Sequence, residues 1–161
     1  MEIRNATVED AQAASEVLRR SISELCVADH RDDPAALSRW LSNKTPEIFR
    51  SWITQPRNSV LVAVENENIL GVGAVTDAGE ITLNYVSPDA RFRGVSRTLL
   101  SALEARAWER GNVRCTVTST ETARRFYVAA GYVESNPPIG TFGTSGYPMS
   151  KPLTLGSSSS L

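Results

Sequence analysis

Histidine is nearly absent from this chain: His30 stands alone among 161 residues. A Ser-His-Asp hydrolase needs an imidazole beside its nucleophile, and no plausible nucleophile has one nearby. Cysteine is scarce too. Cys26 and Cys115 are far apart and form no CxxC, so with a lone histidine they build no zinc site. They read as free thiols in a reducing compartment. Neither sign of charge dominates, with 17 basic against 18 acidic residues and a net charge of −1. That balance excludes the basic footprint of a nucleic-acid binder. No run approaches the ~20 apolar residues of a membrane span, and the MEIRNATVEDAQ start has no apolar signal region. The expectation is a cytoplasmic protein without membrane or nucleic-acid partners. The common phosphate motifs are missing as well. There is no GxxxxGK[ST], and Gly71-Val72-Gly73 lacks the third glycine of a dinucleotide fingerprint.

What is present is ordinary globular material, 41% hydrophobic and 22% charged. The length suits one domain, residues 1–155, with a serine-rich tail at 156–161 expected to be disordered. Thr7-x-x-Asp10 resembles a capping box, and the apolar spacing of Ala11, Ala14, Val17, Leu18, Ile22 and Leu25 predicts a helix to about Cys26. Asp33-Pro34 restarts a helix carrying Leu37, Trp40 and Leu41. Thr45-Pro46 opens another with Ile48, Phe49, Trp52 and Ile53. From Ser59 the period changes to strands at 60–64, 69–76 and 80–86, joined by short turns as an antiparallel meander. A helix from Val95 to Gly111 and a strand at 113–117 complete a βαβ unit with strand 80–86, which makes those two strands parallel neighbours. A short helix at 120–130, a strand opening at Tyr132-Val133, a loop through 136–146 and a last strand at 147–155 follow. The fold class is α/β: a mixed, mostly antiparallel sheet of about seven strands flanked by helices.

One stretch organises the rest. Strand 80–86 breaks at Ser87-Pro88 and passes through Arg91-Phe92-Arg93-Gly94 into the helix from Val95. Unpaired N–H groups and the positive dipole end at a helix N-terminus favour an anion, and two arginines and a glycine sit there. The simplest reading is a cradle for a phosphorylated ligand, although exposed arginines are commonly just solvated.

Val86-Ser87-Pro88-x-x-Arg91-x-Arg93-Gly94-Val95-Ser96-x-x-Leu99-Leu100 resembles the acetyl-CoA-binding signature of the GNAT N-acetyltransferase superfamily, (Q/R)xxGx(G/A), with Ser96 where glycine or alanine is usual. Ala123-Arg124-Arg125-Phe126-Tyr127-Val128-Ala129-Ala130-Gly131-Tyr132 resembles the family's second signature, AxxFYxxxG(F/Y). The resemblance implies acetyl transfer from acetyl-CoA to a primary amine, by direct attack in a ternary complex without a metal. It implies that the Arg91–Ser96 turn, with Phe92, Arg93, Gly94, Val95 and Arg97, wraps the coenzyme A pyrophosphate. Tyr85 and Val86 would line the pantetheine, in a strand splayed from strand 113–117 near a bulge. Thr120 stands where the family often places a cofactor-binding asparagine.

Tyr127 is the candidate general acid for the leaving thiolate, the alternative being a core tyrosine. Glu80, eleven residues before Arg91, has a spacing that resembles that of the catalytic glutamate in the histone-acetyltransferase branch, which implies a base for the attacking amine; the alternative is a solvated strand-end carboxylate. Asn84 and Tyr85 are further polar groups near the splay, and alternation aims one of them at the site. The loop with Asp29, His30, Asp32 and Asp33 either offers an acidic rim to a cationic amine or is simply solvated. Trp40 and Trp52 read as helix-face core. A small-molecule amine is the favoured acceptor. A protein lysine or N-terminus, a non-catalytic acyl-CoA sensor and a degenerate interaction module remain alternatives, and a homodimer through a sheet edge is open.

Overall fold

The computed structural model describes residues 1–141 and 144–154, so the 156–161 tail and Leu155 lie outside the described residues. Its strands are β1 (Glu2–Asn5), β2 (Asn58–Glu65), β3 (Asn68–Thr76), β4 (Glu80–Val86), β5 (Arg114–Ser119), β6 (Val133–Glu134), β7 (Ile139–Thr141) and β8 (Thr144–Pro152). They form a mixed sheet ordered β1-β2-β3-β4-β5-β8-β6, with β7 hairpinned onto β8. All pairs are antiparallel except β4 with β5, as the crossover argument requires.

The helices are α1 (Ala11–Leu25), α2 (Val27–His30), α3 (Pro34–Leu41), α4 (Pro46–Thr54), α5 (Val95–Glu109) and α6 (Arg124–Ala129). Asp33 and Thr45 cap α3 and α4 by accepting from Ala36 N and Ile48 N. Asp10 accepts from Thr7 N at 2.7 Å and takes a two-pronged pair from Arg4, which fixes the entry to α1.

Alternation divides the core. Val60, Val62, Val72 and Ala74 pack against α1 and the Phe49 face of α4, while Leu61 and Val75 join Leu99, Leu103 and Ala107 of α5 on the other side. Gly71 and Gly73 sit on the α5 face of β3. A Cβ on Gly73 would lie 2.9 Å from Leu103 Cδ1, and one on Gly71 would lie 2.9 Å from Val95 Cγ1. The glycines that failed as a dinucleotide motif are the seat of α5. Buried Glu104 of α5 accepts from Tyr132 Oη at 2.7 Å and from Lys151 Nζ at 3.1 Å, tying the helix to β8.

Several expectations need correction. The 136–146 segment is not plain loop: Ile139↔Gly146 and Gly140↔Ser145 pair across β7 and β8, so the last strand starts at Thr144, while residues 142–143 of that segment lie outside the described residues; the eight strands agree with the expected sheet of about seven. Helix α6 starts at Arg124, not Thr120, because residues 120–123 form a turn held by Asp29. The loop after α1 contains the extra helical turn α2.

Gly73→Val should lower stability by about 1–3 kcal/mol through overpacking against Leu99 and Leu103, several degrees in Tm by calorimetry. An unchanged Tm would mean α5 is not seated on β3 as described.

Candidate active site

The pair β4–β5 is hydrogen-bonded in register only at Glu80↔Thr116 and Ile81↔Val117. Beyond Ile81 the strands diverge. The register of β4 against β3 shifts at the same level, from Ala74↔Leu83 to Val75↔Ile81, leaving Thr82 as an extra residue. This bulge sends Ile81 into the α5-side core and Leu83 into the α1-side core, against simple alternation. It also aims Asn84 and Tyr85 in opposite directions. Tyr85 packs on Ile22, Cys26 and Trp40, and Asn84 turns to Tyr127. At the end of β4, Ser87 N donates to Leu70 O of β3 at 2.7 Å. Successive N–H groups alternate sides, so the Val86 N–H points into the gap.

Downstream, Ser87 Oγ accepts from Asp89 N and caps a 3-10 turn at Pro88–Ala90. Arg20 of α1 braces that turn through Asp89 at 2.8 Å. Phe92 and Gly94 then take left-handed conformations, φ 63° and 77°, and α5 begins at Val95. The N–H groups of Gly94, Val95, Ser96 and Arg97 donate to no group of the described chain, while Thr98 N already bonds Gly94 O. A Cβ at Gly94 would meet nothing within 4 Å, so the space above these amides is open. The cations are arranged unequally. Arg93 pairs with Glu65 at 2.6 Å, Arg91 lies over the Phe92 ring at 4.6 Å, and Arg97 is exposed. Phe92 itself is 92% exposed. The amides, the open space and the flanking guanidiniums fit a pyrophosphate.

A groove of about 290 Å³ runs from this cradle past Cys26, Tyr85, Val86 and Phe126 to Tyr127. A narrow space of about 50 Å³ follows between β4 and β5, lined by Asn84, Thr120 and Tyr127. It opens into a cavity of about 400 Å³ on the side of Trp40, Lys44, Trp52 and Glu80. Tyr85 and Thr120 line all three spaces. The gap thus leads from one side of the sheet to the other.

Tyr127 is buried, 4% exposed, with its ring against Phe126 and Tyr132. Burial pushes its phenol up to about 12, with the Asn84 side chain pulling the other way. Asn84 Oδ1 is buried with no hydrogen-bond partner, an acceptor that a ligand N–H would satisfy. Thr120 Oγ1 accepts from Ala123 N at 3.1 Å. Glu80 is exposed at the floor of the larger cavity, its N–H bonded to Thr76 Oγ1. At about 3.3 Å per residue it lies roughly 13 Å along β4 from Asn84.

The acidic residues at 29–33 do not line the 400 Å³ cavity; Asp29 and Asp33 border a separate space of about 520 Å³ with Glu121 and Tyr147. Asp29 accepts from Glu121 N, Thr122 N and Thr122 Oγ1, and Asp33 is a helix cap. His30 is 1% exposed rather than solvated, edge-on to Trp40. Asp32 N donates to its Nδ1, so Nε2 carries the proton and donates to Ile22 O. The sequence reading missed Lys44. It is 4% exposed and lines the larger cavity, its Nζ donating to Trp40 O at 3.3 Å and Asn43 Oδ1 at 2.6 Å. Burial draws its ammonium down to about 8. Its only signal in the sequence is a lysine between two tryptophan-bearing helices, a common surface pattern.

A mixed sheet splayed at its parallel pair, with an amide cradle at the mouth, suits a ligand with an anionic head and a long arm. The family model for the acetyltransferase (GNAT) domain matches residues 26–153, and the chain belongs to that family, whose members are acetyl-CoA-dependent N-acetyltransferases. Solved structures agree on the fold. A GCN5-related N-acetyltransferase from Rhodopseudomonas palustris is 25% identical, with a TM-score of 0.84 over 94% of this chain and 95% of that one. PaiA N-acetyltransferase from Thermoplasma acidophilum, solved with coenzyme A, is 20% identical, with a TM-score of 0.80 over 94% and 98%. A ribosomal-protein-alanine N-acetyltransferase from Brucella melitensis is 23% identical, with a TM-score of 0.65 over 95% and 100%. No curated protein was found to match the sequence.

The buried phenols make a pH prediction. Tyr85, Tyr127 and Tyr132 are all raised, chiefly by burial, above the value near 10 of an unfolded chain. Their neutral burial therefore stabilises the fold fully below pH ~10, and that stability is lost as pH climbs towards their folded values. Apart from the accessible Tyr147, tyrosinate absorbance should develop only above pH ~11, together with loss of circular dichroism. Three phenols ionising near pH 10 in a folded chain would contradict the burial described.

Proposed function

We propose that the chain transfers an acetyl group from acetyl-CoA directly to the primary amine of a small molecule, both bound at once. The observation that carries this reading is the gap between β4 and β5. It joins a groove ending in an amide cradle to a separate cavity, and Tyr127 stands at the junction. The amides of Gly94 to Arg97 would hold the pyrophosphate, with Arg91, Phe92 and Arg97 at its edges. Arg93, engaged with Glu65, would serve mainly to fix the turn. Tyr85, Val86 and Thr120 would line the pantetheine arm, and Asn84 Oδ1 could accept from one of its amides.

The chemistry follows from placement. The Val86 N–H, aimed into the gap, would polarise the thioester carbonyl as negative charge builds on its oxygen. The amine nitrogen attacks the carbonyl carbon, the C–S bond breaks, and Tyr127 Oη gives its proton to the departing sulfur. A phenol held near 12 is a weaker acid than a free one but stays protonated throughout the neutral range. The amine arrives mostly as an ammonium and must lose a proton, roughly 4–5 kcal/mol of cost for a lysine-like amine at pH 7. Glu80 is too far along β4 to touch it and would act through water.

Acetyl-CoA at a hundred times its Kd should stabilise the protein by about 2.7 kcal/mol in a thermal-shift titration. Gly94→Val, which strains a φ of 77° and fills the cradle, should weaken that binding by about tenfold or more. Absence of any shift in the parent protein would favour an interaction module instead. Tyr127→Phe should keep coenzyme A affinity and lose about a hundredfold in kcat, measured by thiol release. An undiminished kcat would remove Tyr127 from the acid role.

A further inference from the structure

The fold gives Phe92 no structural reason to be aromatic. The turn leading into α5 holds it at φ 63°, a left-handed conformation that strains a residue with a bulky side chain. Burial does not compensate. The side chain is 92% exposed and joins none of the buried clusters among the described residues. Glycine would meet the backbone requirement without strain and would leave no apolar surface in water. The neighbouring cation is placed with equal care. Arg91, itself exposed, lays its guanidinium carbon 4.6 Å from the centroid of the Phe92 ring. One ring face is backed by a planar cation, and the rest of the ring is open.

We infer that Phe92 is a stacking platform for the purine base at the nucleotide end of acetyl-CoA, with Arg91 supporting the ring from behind. The inference rests on the acetyltransferase reading above and places the part of the donor which that reading leaves unassigned. Phe92 borders the groove at its cradle end. It stands two residues before Gly94, the first of the free amides, and two residues of chain span at most about 7 Å. A nucleoside carried by a pyrophosphate on those amides falls within that reach, while the pantetheine arm leaves along the groove toward Tyr127. A purine presents the flat π-face that an aromatic ring without packing partners can cover. The pantetheine arm has none. An anchor for another protein would sit in a wider apolar patch, whereas Phe92 is flanked by exposed Arg91, Arg93 and Arg97. Guanidiniums beside the ring suit the phosphates of a nucleotide.

The test is a calorimetric titration of the intact protein with acetyl-CoA and with acetyl-4′-phosphopantetheine, a donor with the same arm and no nucleoside. Binding is read directly, so no acceptor amine has to be known. Phe92→Leu keeps an apolar side chain in the strained position and removes the π-face. It should weaken acetyl-CoA about tenfold and leave acetyl-4′-phosphopantetheine within about twofold of the parent value. Phe92→Trp, with a larger face, should bind acetyl-CoA at least as tightly as the parent does. Loss of both donors in equal measure in Phe92→Leu, or of neither, overturns the inference and leaves the acetyltransferase reading intact. So does a Phe92→Trp variant that binds acetyl-CoA as weakly as Phe92→Leu. Failure of acetyl-CoA to bind the parent protein overturns the reading beneath it.

Discussion

The separation of β4 from β5 after two paired residues is the constraint on which the site depends. A continuous parallel pair would close the sheet and leave no route between the groove and the cavity. The bulge at Thr82 makes the separation tolerable. It turns the end of β4 so that Leu83 and Tyr85 bury on the α1 side while Asn84 faces Tyr127. Without it, polar Asn84 and apolar Leu83 would exchange environments, and the unpaired edge of β4 would have no compensation in burial. Past Ile81 the edge of β4 has no ladder partner on the β5 side, and alternation turns the Val86 N–H to that side. Such an edge can pair with a bound amide-rich ligand arm.

Much of this was legible in the sequence because it rests on local chemistry. Asp33-Pro34 and Thr45-Pro46 are helix starts in any context, and Gly94 before an apolar helical stripe marks the start of α5. The parallel relation of β4 and β5 followed from the crossover helix alone. The 26–33 segment was misread for the opposite reason. ADHRDD looks solvated, but Asp29 finds its partners at Glu121 and Thr122, and His30 finds Ile22 and Trp40. Such contacts join residues remote in sequence, and no local pattern encodes them.

Residues 136–146 failed similarly. Glycines and prolines signal turns, yet Gly140 and Gly146 sit in the β7–β8 ladder, where pairing overrides a weak intrinsic preference. Lys44 was invisible because burial of a cation is a property of the assembled helical layer. Glu80, singled out by its place eleven residues before Arg91, lines the larger cavity.

Gly71 gives the site a fixed length. It pairs with Val86 on β4, and its missing side chain is the space into which Val95, the first residue of α5, descends. The amides of the cradle and the N–H aimed into the gap are therefore positioned from one backbone point. In the proposed reaction the chain linking an anionic head to the reactive carbonyl would have to span the interval set at Gly71, and acyl carriers would be sorted by reach before any chemistry began.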